Sequence, residues 1–365
     1  MSVILFYSPF DQRSRDTESL MIAFRNQGHR VISLSQASGA QIHEYVRANG
    51  VETYTHIIDG ARNWFYYLRH ATFLVGFIRK HKVDVVYSHL EPANTAVSIA
   101  RYFVKSKIFL VRHHIQEANL QGFDKSLSYR LTYRLAKNII VVSRQAKEFM
   151  SDVEKIDPSK IIHINLAYDF NIYEKPDPQN VKSIRAGFED QITLTAVGRF
   201  SRSKRTEMAV RLLKNLLDRG EKARLILLGR GDEESNIRKI IRDEGLTDAV
   251  TMPGHVSNVL DYLAASDFLV HPSISESSCI TVKEAALVGL PVIVCKGVGD
   301  FDDYMENGKN GFVVEPEKFV SAAEEIIISH KNADLSTMTA SLSAKMIDLF
   351  DIKNVVSKYQ ELNEA

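Results

Sequence analysis

Short apolar runs of three to six residues alternate with stretches in which apolar side chains recur every three or four positions, nearly from one end of the chain to the other. That alternation predicts α/β architecture: parallel sheets covered by helices on both faces. In the first half, runs at 3–7, 31–34, 56–58, 83–88, 108–112, 139–143 and 161–164 predict strands. A second series follows at 192–197, 225–229, 250–252, 268–271, 291–295 and 311–314. Between the two lies the polar stretch 168–190, with Pro176 and Pro178, which reads as a linker. Each series is too long for a single Rossmann half, so two doubly wound domains are expected, 1–168 and 169–349. Ligands of such sheets bind beyond the carboxyl ends of the strands, here in a cleft between the domains. Met208, Val210, Leu212, Leu213, Leu216 and Leu217 recur at helical spacing before Gly220, predicting an amphipathic helix packed on the second sheet. Helical stretches at 335–349 and 352–362 close the chain. The segment 350–365 is assigned to the first domain, although periodicity alone does not decide it.

Composition changes this picture little. The 365 residues are 45% hydrophobic and 25% charged, enough for two cores and ordinary for a globular protein. The run at 3–7 lacks the basic lead and cleavage site of a signal peptide, and no window approaches a membrane span. A cytoplasmic location is expected, with peripheral contact at the inner face of the membrane as an option. Cys279 and Cys295 are too few for a disulfide framework or a metal cluster, and neither is read as a nucleophile.

Charge is more informative. The net charge of +1 hides an uneven division: residues 1–168 hold 22 Lys and Arg against 14 Asp and Glu, and the remainder 24 against 31. A basic first half suits an anionic partner, either a phosphorylated acceptor or an acidic membrane surface, or equally a solvated face drawn to its acidic neighbour. The basic residues are scattered, not interleaved with aromatics on a known module, so nucleic acid is not expected as a partner.

The chemistry gathers in the second half. Glu276 and Glu284 stand either side of a predicted loop-to-helix junction, with the small residues Ser277, Ser278 and Cys279 where the helix begins. Backbone amides there, at the positive helix end, suit a diphosphate. Thr281 followed by Glu284 also fits a capping box, in which the two side chains only satisfy the first turn. Gly198-Arg199-Phe200 follows the strand at 192–197 and precedes Lys204, so two cations meet at a strand's carboxyl end, a bidentate guanidinium and a compact ammonium for phosphate oxygens. Gly229-Arg230-Gly231 lacks the third glycine of a dinucleotide fingerprint and is followed by Asp232, Glu233 and Glu234, so it reads as a tight turn, not an NAD site.

Taken in order, Gly198-Arg199, Lys204, Leu228-Gly229-Arg230-Gly231, Pro253-Gly254-His255-Val256, Ala264-Ala265-Ser266-Asp267, and Glu276 followed by Glu284-Ala285-Ala286, Gly289 and Pro291-Val292 resemble the retaining nucleotide-sugar glycosyltransferases of family 4, with the GT-B fold. The likeness is thinner in the first half, where Gly28-His29-Arg30-Val31, Asp84 to His89, Arg112-His113-His114 and Val141-Val142-Ser143 match only the general pattern. The resemblance implies that Arg199 and Lys204 bind the donor diphosphate and that Glu276 contacts the sugar or its positively charged transition state. It also implies that Glu284 bonds the ribose, that Ser277, Ser278, Cys279, Ile280 and Thr281 line the donor pocket, and that Gly254 and Val256 present backbone to the base. His114 matches the family's active-site histidine, with His113 as its one-residue alternative. No cofactor is implied beyond a UDP- or GDP-linked sugar, and no metal. The acceptor implied is a glycan, glycolipid or lipid-linked molecule of envelope-type polysaccharide synthesis.

Two departures stand out. The family's usual Glu-Gly-Phe-Gly is Glu276-Ser277-Ser278-Cys279 here, and the glycine-rich loop after the first strand is Ser8-Pro9-Phe10-Asp11-Gln12-Arg13, which makes Phe10 and Arg13 acceptor-side candidates. Trp64 to Leu68, leading to Arg79-Lys80-His81-Lys82, is either a membrane-contacting face or a helix packed on the sheet. A nucleotide-sugar epimerase and an inactive nucleotide-sugar-binding protein are the alternatives to a transferase.

Overall fold

The computed structural model describes residues 1–9, 13–37, 41–60, 63–113 and 130–364. Two compact units form, one from Met1–Phe170 with Leu349–Ala365, the other from Asn171–Asp348. Each is built on its own all-parallel sheet, the arrangement that continuous apolar strands require because both faces of the sheet are covered.

The first sheet has the order β3-β2-β1-β4-β5-β6-β7. Its strands are β1 (Val3–Ser8), β2 (Arg30–Ser35), β3 (Glu52–Thr55), β4 (Val85–His89), β5 (Lys107–Arg112), β6 (Asn138–Val141) and β7 (Ile161–His163). The third strand is displaced from the expected 56–58. Glu52–Thr55 pairs with Ile32–Ser35, while His56 only extends the ladder by one bond to the Ser35 carbonyl and then stacks on Phe73. β3 is an edge strand with a half-exposed, polar, β-branched sequence, so apolar content pointed to the wrong three residues. The helix Trp64–His81 lays Ala71, Leu74, Phe77 and Ile78 on the core, leaving Trp64 and Phe65 exposed at its start.

The last helix, Ile352–Glu364, belongs to this unit. Tyr359 is buried against Phe24 and Tyr87, Tyr87 donates to Asn363 Oδ1 at 2.6 Å, and Lys107 Nζ reaches the Asn363 carbonyl at 2.7 Å.

The second sheet has the order β10-β9-β8-β11-β12-β13. It comprises β8 (Ile192–Val197), β9 (Ala223–Leu228), β10 (Val250–Gly254), β11 (Phe268–His271), β12 (Val292–Cys295) and β13 (Phe312–Val314). The amphipathic helix forms at Thr206–Asp218, with Ala209, Val210, Leu212, Leu213 and Leu216 buried as its periodicity requires. The linker is more ordered than its composition implied. Asp177 caps a helix at Pro178–Arg185 by accepting from Gln179 N, and proline at the first helical position costs nothing because that amide has no helical partner. Pro178 therefore starts a helix within the stretch that reads as a linker.

Candidate active site

Strand order in the second sheet reverses between β8 and β11: β9 and β10 run outward on one side, β12 and β13 on the other. The loops leaving the carboxyl ends of β8 and β11 are therefore carried apart, which is where open α/β sheets bind ligands. The β8 loop opens with Gly198 at φ 151°. It is clamped to the turn after β9: Phe200 N donates to the Arg230 carbonyl at 2.9 Å, and Glu233 N to the Phe200 carbonyl at 3.0 Å. A Cβ on Gly229 would lie 2.0 Å from the Gly198 carbonyl oxygen, and one on Gly231 would lie 2.3 Å from that of Phe200. The Gly-x-Gly of the sequence is thus demanded by the close approach of two loops. Gly254, at φ 83°, ends β10 beside it and accepts from Gly229 N at 2.9 Å.

The β8 and β11 loops are stitched together across the reversal. Ile274 N donates to the Ser203 carbonyl at 2.9 Å, Ser273 Oγ to the same oxygen at 3.2 Å, and Arg205 Nε to the Pro272 carbonyl at 2.8 Å. This stitching delivers Lys204 to Glu276. The ammonium pairs with Glu276 Oε1, which also lies 2.6 Å from His271 Nε2, and Cys279 Sγ is 3.5 Å from the same imidazole nitrogen. Glu276 is 9% exposed and His271 4%, while Lys204 keeps 23% of its side chain open to solvent.

The groups set each other's charge. Burial alone works against an ionised Glu276, but the His271 bond and the His271 and Lys204 charges outweigh it and hold the carboxyl down at about 2. Burial likewise works against a charged His271, yet Cys279 and Glu276 raise the imidazole to about 9. The Cys279 thiol, opposed by burial, is drawn down by His271. Cys295, ending β12, is pushed up by burial to about 11. Ligand atoms of His271, Glu276 and Cys279 lie within 4.8 Å of one another, so the trio has metal-binding chemistry. The Lys204 ammonium already neutralises the carboxylate, and a cation would have to displace it.

Beyond this cluster the helix Ile280–Leu287 begins, with Cys279 as its N-cap. Cys279 makes no side-chain capping bond, so the first-turn amides are left to other partners. The capping box does not form, because Thr281 lies inside the helix, one position past its first residue Ile280. Glu284 is buried on the next turn. Ser277 is half-buried in the loop, and Ser278 turns inward, its hydroxyl donating to Asp300 Oδ2 at 2.5 Å.

Lys204, Glu276 and Cys279 are therefore brought together, while Arg199 is not part of the cluster. Its side chain is 71% exposed and pairs with Asp232 at 3.3 Å. Of the acids after Gly231, Asp232 and Glu233 face the loop's arginines, Glu233 pairing with Arg202, while Glu234 pairs with Arg238 in its own helix. Val256 lies two residues past the end of β10. In the first unit, His113 follows β5, its Nε2 lying 2.8 Å from Nδ1 of buried His89. Arg13 makes a bidentate pair with Glu18 and stacks over Tyr45. His114 and Phe10 lie outside the described residues.

Sequence reasoning missed His271, Lys283 and Asp300. The signal for His271 was a lone polar residue closing the apolar run Phe268–His271, five positions before Glu276. Lys283 and Asp300 form a fully buried ion pair, and the signal was a lysine beside Glu284 in a helix whose remaining residues are small or apolar.

Comparison with known proteins gives the family. Residues 179–342 match the model "Glycosyl transferases group 1", and residues 14–171 match "Glycosyltransferase Family 4". The chain is 23% identical to the N-acetyl-alpha-D-glucosaminyl L-malate synthase of Bacillus anthracis, over 78% of this chain and 75% of that protein. It is 24% identical to the GPI3 subunit of the Saccharomyces cerevisiae phosphatidylinositol N-acetylglucosaminyltransferase, over 93% of this chain and 77% of that one. Among solved structures, Anabaena HepE in complex with UDP and glucose superposes with a TM-score of 0.85 at 19% identity, covering 100% of both chains. The chain belongs to the group 1, family 4 glycosyltransferases and has their two-domain GT-B fold.

Proposed function

We propose that the chain moves a sugar from a UDP-linked donor to an acceptor hydroxyl with retention at the anomeric carbon, in the synthesis of an envelope glycan or glycolipid. The observation that carries this reading is the Lys204–Glu276–His271 cluster at the strand-order reversal, beside a helix start whose amides its own N-cap leaves unused. UDP is favoured over GDP because HepE is similar over its whole length and was solved with UDP, and because two relatives are named for transfer of N-acetylglucosamine.

In this reading Lys204, Arg199 and the amides of residues 278–281 neutralise the departing diphosphate, with no metal required. Arg199 exchanges Asp232 for phosphate, an easy change for so exposed a pair. Glu276, kept ionised, faces the positive charge that develops on the sugar ring. Glu284 bonds the ribose, and Gly254 and Val256 offer backbone to the base. The bond from anomeric carbon to phosphate oxygen breaks, the bond to the acceptor oxygen forms on the same face, and the acceptor's proton passes to the diphosphate. The first unit receives the acceptor, with Phe10, Arg13, His113 and His114 on that side. Its basic charge suits a phosphorylated or membrane-borne acceptor. The protein is then cytoplasmic, working at the inner face of a membrane. Among the described residues no helix is long and apolar enough to cross one.

A thermal-shift screen of UDP-, GDP- and ADP-sugars, followed by saturation-transfer NMR on the hit, tests the donor assignment. A shift with UDP-sugars that reports contacts to both uracil and sugar is expected. A response to GDP- or ADP-sugars alone overturns the choice of base, and no response to any donor overturns the function.

A further inference from the structure

Behind the Glu276 loop lies a polar network that the donor-site reading leaves unused. Lys283 and Asp300 are both 0% exposed, with Nζ 2.9 Å from Oδ2. The lysine also reaches back one turn to the Cys279 carbonyl at 3.3 Å, and Ser278 Oγ donates to the same Asp300 oxygen at 2.5 Å. Asp300 belongs to the loop after β12, whose preceding residue Gly299, at φ 64°, rests on Glu276: a Cβ there would lie 2.8 Å from Glu276 Cβ and 3.2 Å from its carbonyl carbon. One loop thus backs Glu276 through Gly299 and holds Ser278 and Cys279 through Asp300 and Lys283.

Stability does not explain such a pair. Two charges taken wholly out of water lose hydration that their attraction does not reliably restore, and an apolar pair of the same volume commonly serves as well or better. Oδ1 of Asp300 is buried with no hydrogen-bond partner, which weighs further against it. What apolar contacts lack is direction. Two donors converging on one fixed oxygen, with a third bond to the helix's own N-cap carbonyl, hold the loop in one conformation.

We infer that Ser278, Lys283 and Asp300 are positioning residues: a buried anchor that sets the Glu276 carboxylate and the start of the Ile280–Leu287 helix for transfer. The inference rests on Glu276 being the sugar-side carboxylate. It also accounts for the change from the family's usual Glu-Gly-Phe-Gly to Glu276-Ser277-Ser278-Cys279, since Ser278 supplies the hydroxyl that Asp300 accepts.

The test compares the wild type with Ser278→Ala and with the charge-free double variant Lys283→Met/Asp300→Leu, each also made in a Cys295→Ala background. For the double variant, melting temperature and UDP affinity should stay near the wild-type values. Its kcat for UDP release from UDP-sugar should fall at least about tenfold with little change in KM, the signature of lost transition-state placement. Ser278→Ala should lower kcat about fivefold, the scale of one hydrogen bond. Modification of Cys279 by dithionitrobenzoate should speed up in both: modestly in Ser278→Ala, which frees the neighbouring residue from Asp300, and at least about tenfold in the double variant, where the lysine's clamp on the Cys279 carbonyl is gone as well. Wild-type kcat and thiol reactivity in the double variant would overturn the anchor, as would losses of kcat, melting temperature and UDP affinity in step. If the double variant does not fold, Ser278→Ala decides by the same two readouts. A wild type that releases no UDP refutes the functional reading, and the thiol rate still reports on the anchor.

Discussion

Glu276→Gln removes one charge and keeps the shape of the side chain, so its effects can be worked from the cluster. The wild-type carboxylate stands between the Lys204 ammonium and the His271 imidazole, with 9% of its side chain exposed. If it faces charge developing on the sugar, its loss removes one preorganised electrostatic contact, worth about 10²- to 10³-fold in kcat, or about 3–4 kcal/mol. Folding suffers less. Breaking a wholly buried ion pair costs about 3–5 kcal/mol, but Lys204 is 23% exposed and water replaces part of its partner, so about 1–3 kcal/mol is expected. For a domain of this size that lowers the melting temperature by roughly 3–10 °C, leaving the variant folded at room temperature. The assay is the initial rate of UDP release from UDP-sugar at pH 7, beside a melting curve on the same sample. A folded variant turning over within threefold of wild type refutes the role given to Glu276.

Three further outcomes are expected. Because the folded protein holds His271 at about 9, above its ordinary 6.5, the stability from its proton is complete below pH 6.5 and is lost as pH rises toward 9. The loss approaches about 3 kcal/mol, and urea midpoints across that window should fall for wild type and stay flat for His271→Gln; equal slopes refute the assignment. Gly231→Ala, whose Cβ would meet the Phe200 carbonyl at 2.3 Å, should cost about 3 kcal/mol and weaken UDP binding by displacing the Arg199 loop; unchanged melting refutes the packing argument. Chelation with EDTA should leave UDP release unchanged, and a loss restored by added divalent ion refutes the metal-independent reading.

Much of this molecule was legible in its residues, for stated reasons. Parallel strands buried on both faces announce themselves as unbroken apolar runs, so twelve of the thirteen strands among the described residues were found within a few residues. The exception, Glu52–Thr55, is an edge strand held by ladder bonds to β2 and not by apolar burial. Thr281 and Glu284 satisfied a capping pattern, but where a helix starts depends on its tertiary setting, and it starts at Ile280. Glu276 and Lys204 were legible because loop chemistry at strand ends is local. His271 and the Lys283–Asp300 pair were not, because their meaning comes from partners 5 and 17 residues away, delivered by the fold. Arg199 lies on the right loop, but its exposed pair with Asp232 was not legible, because that partner is brought by the turn after β9.

The central claim is that the second unit binds a nucleoside diphosphate through the loops after β8 and β11. Calorimetric titration of UDP into the wild type and into Lys204→Ala tests it most directly. One UDP bound per chain is predicted, weakened at least about tenfold by the substitution, the scale of one charge-assisted contact. A wild type that binds neither UDP nor GDP, or a Lys204→Ala variant that binds UDP as tightly as wild type, would contradict it.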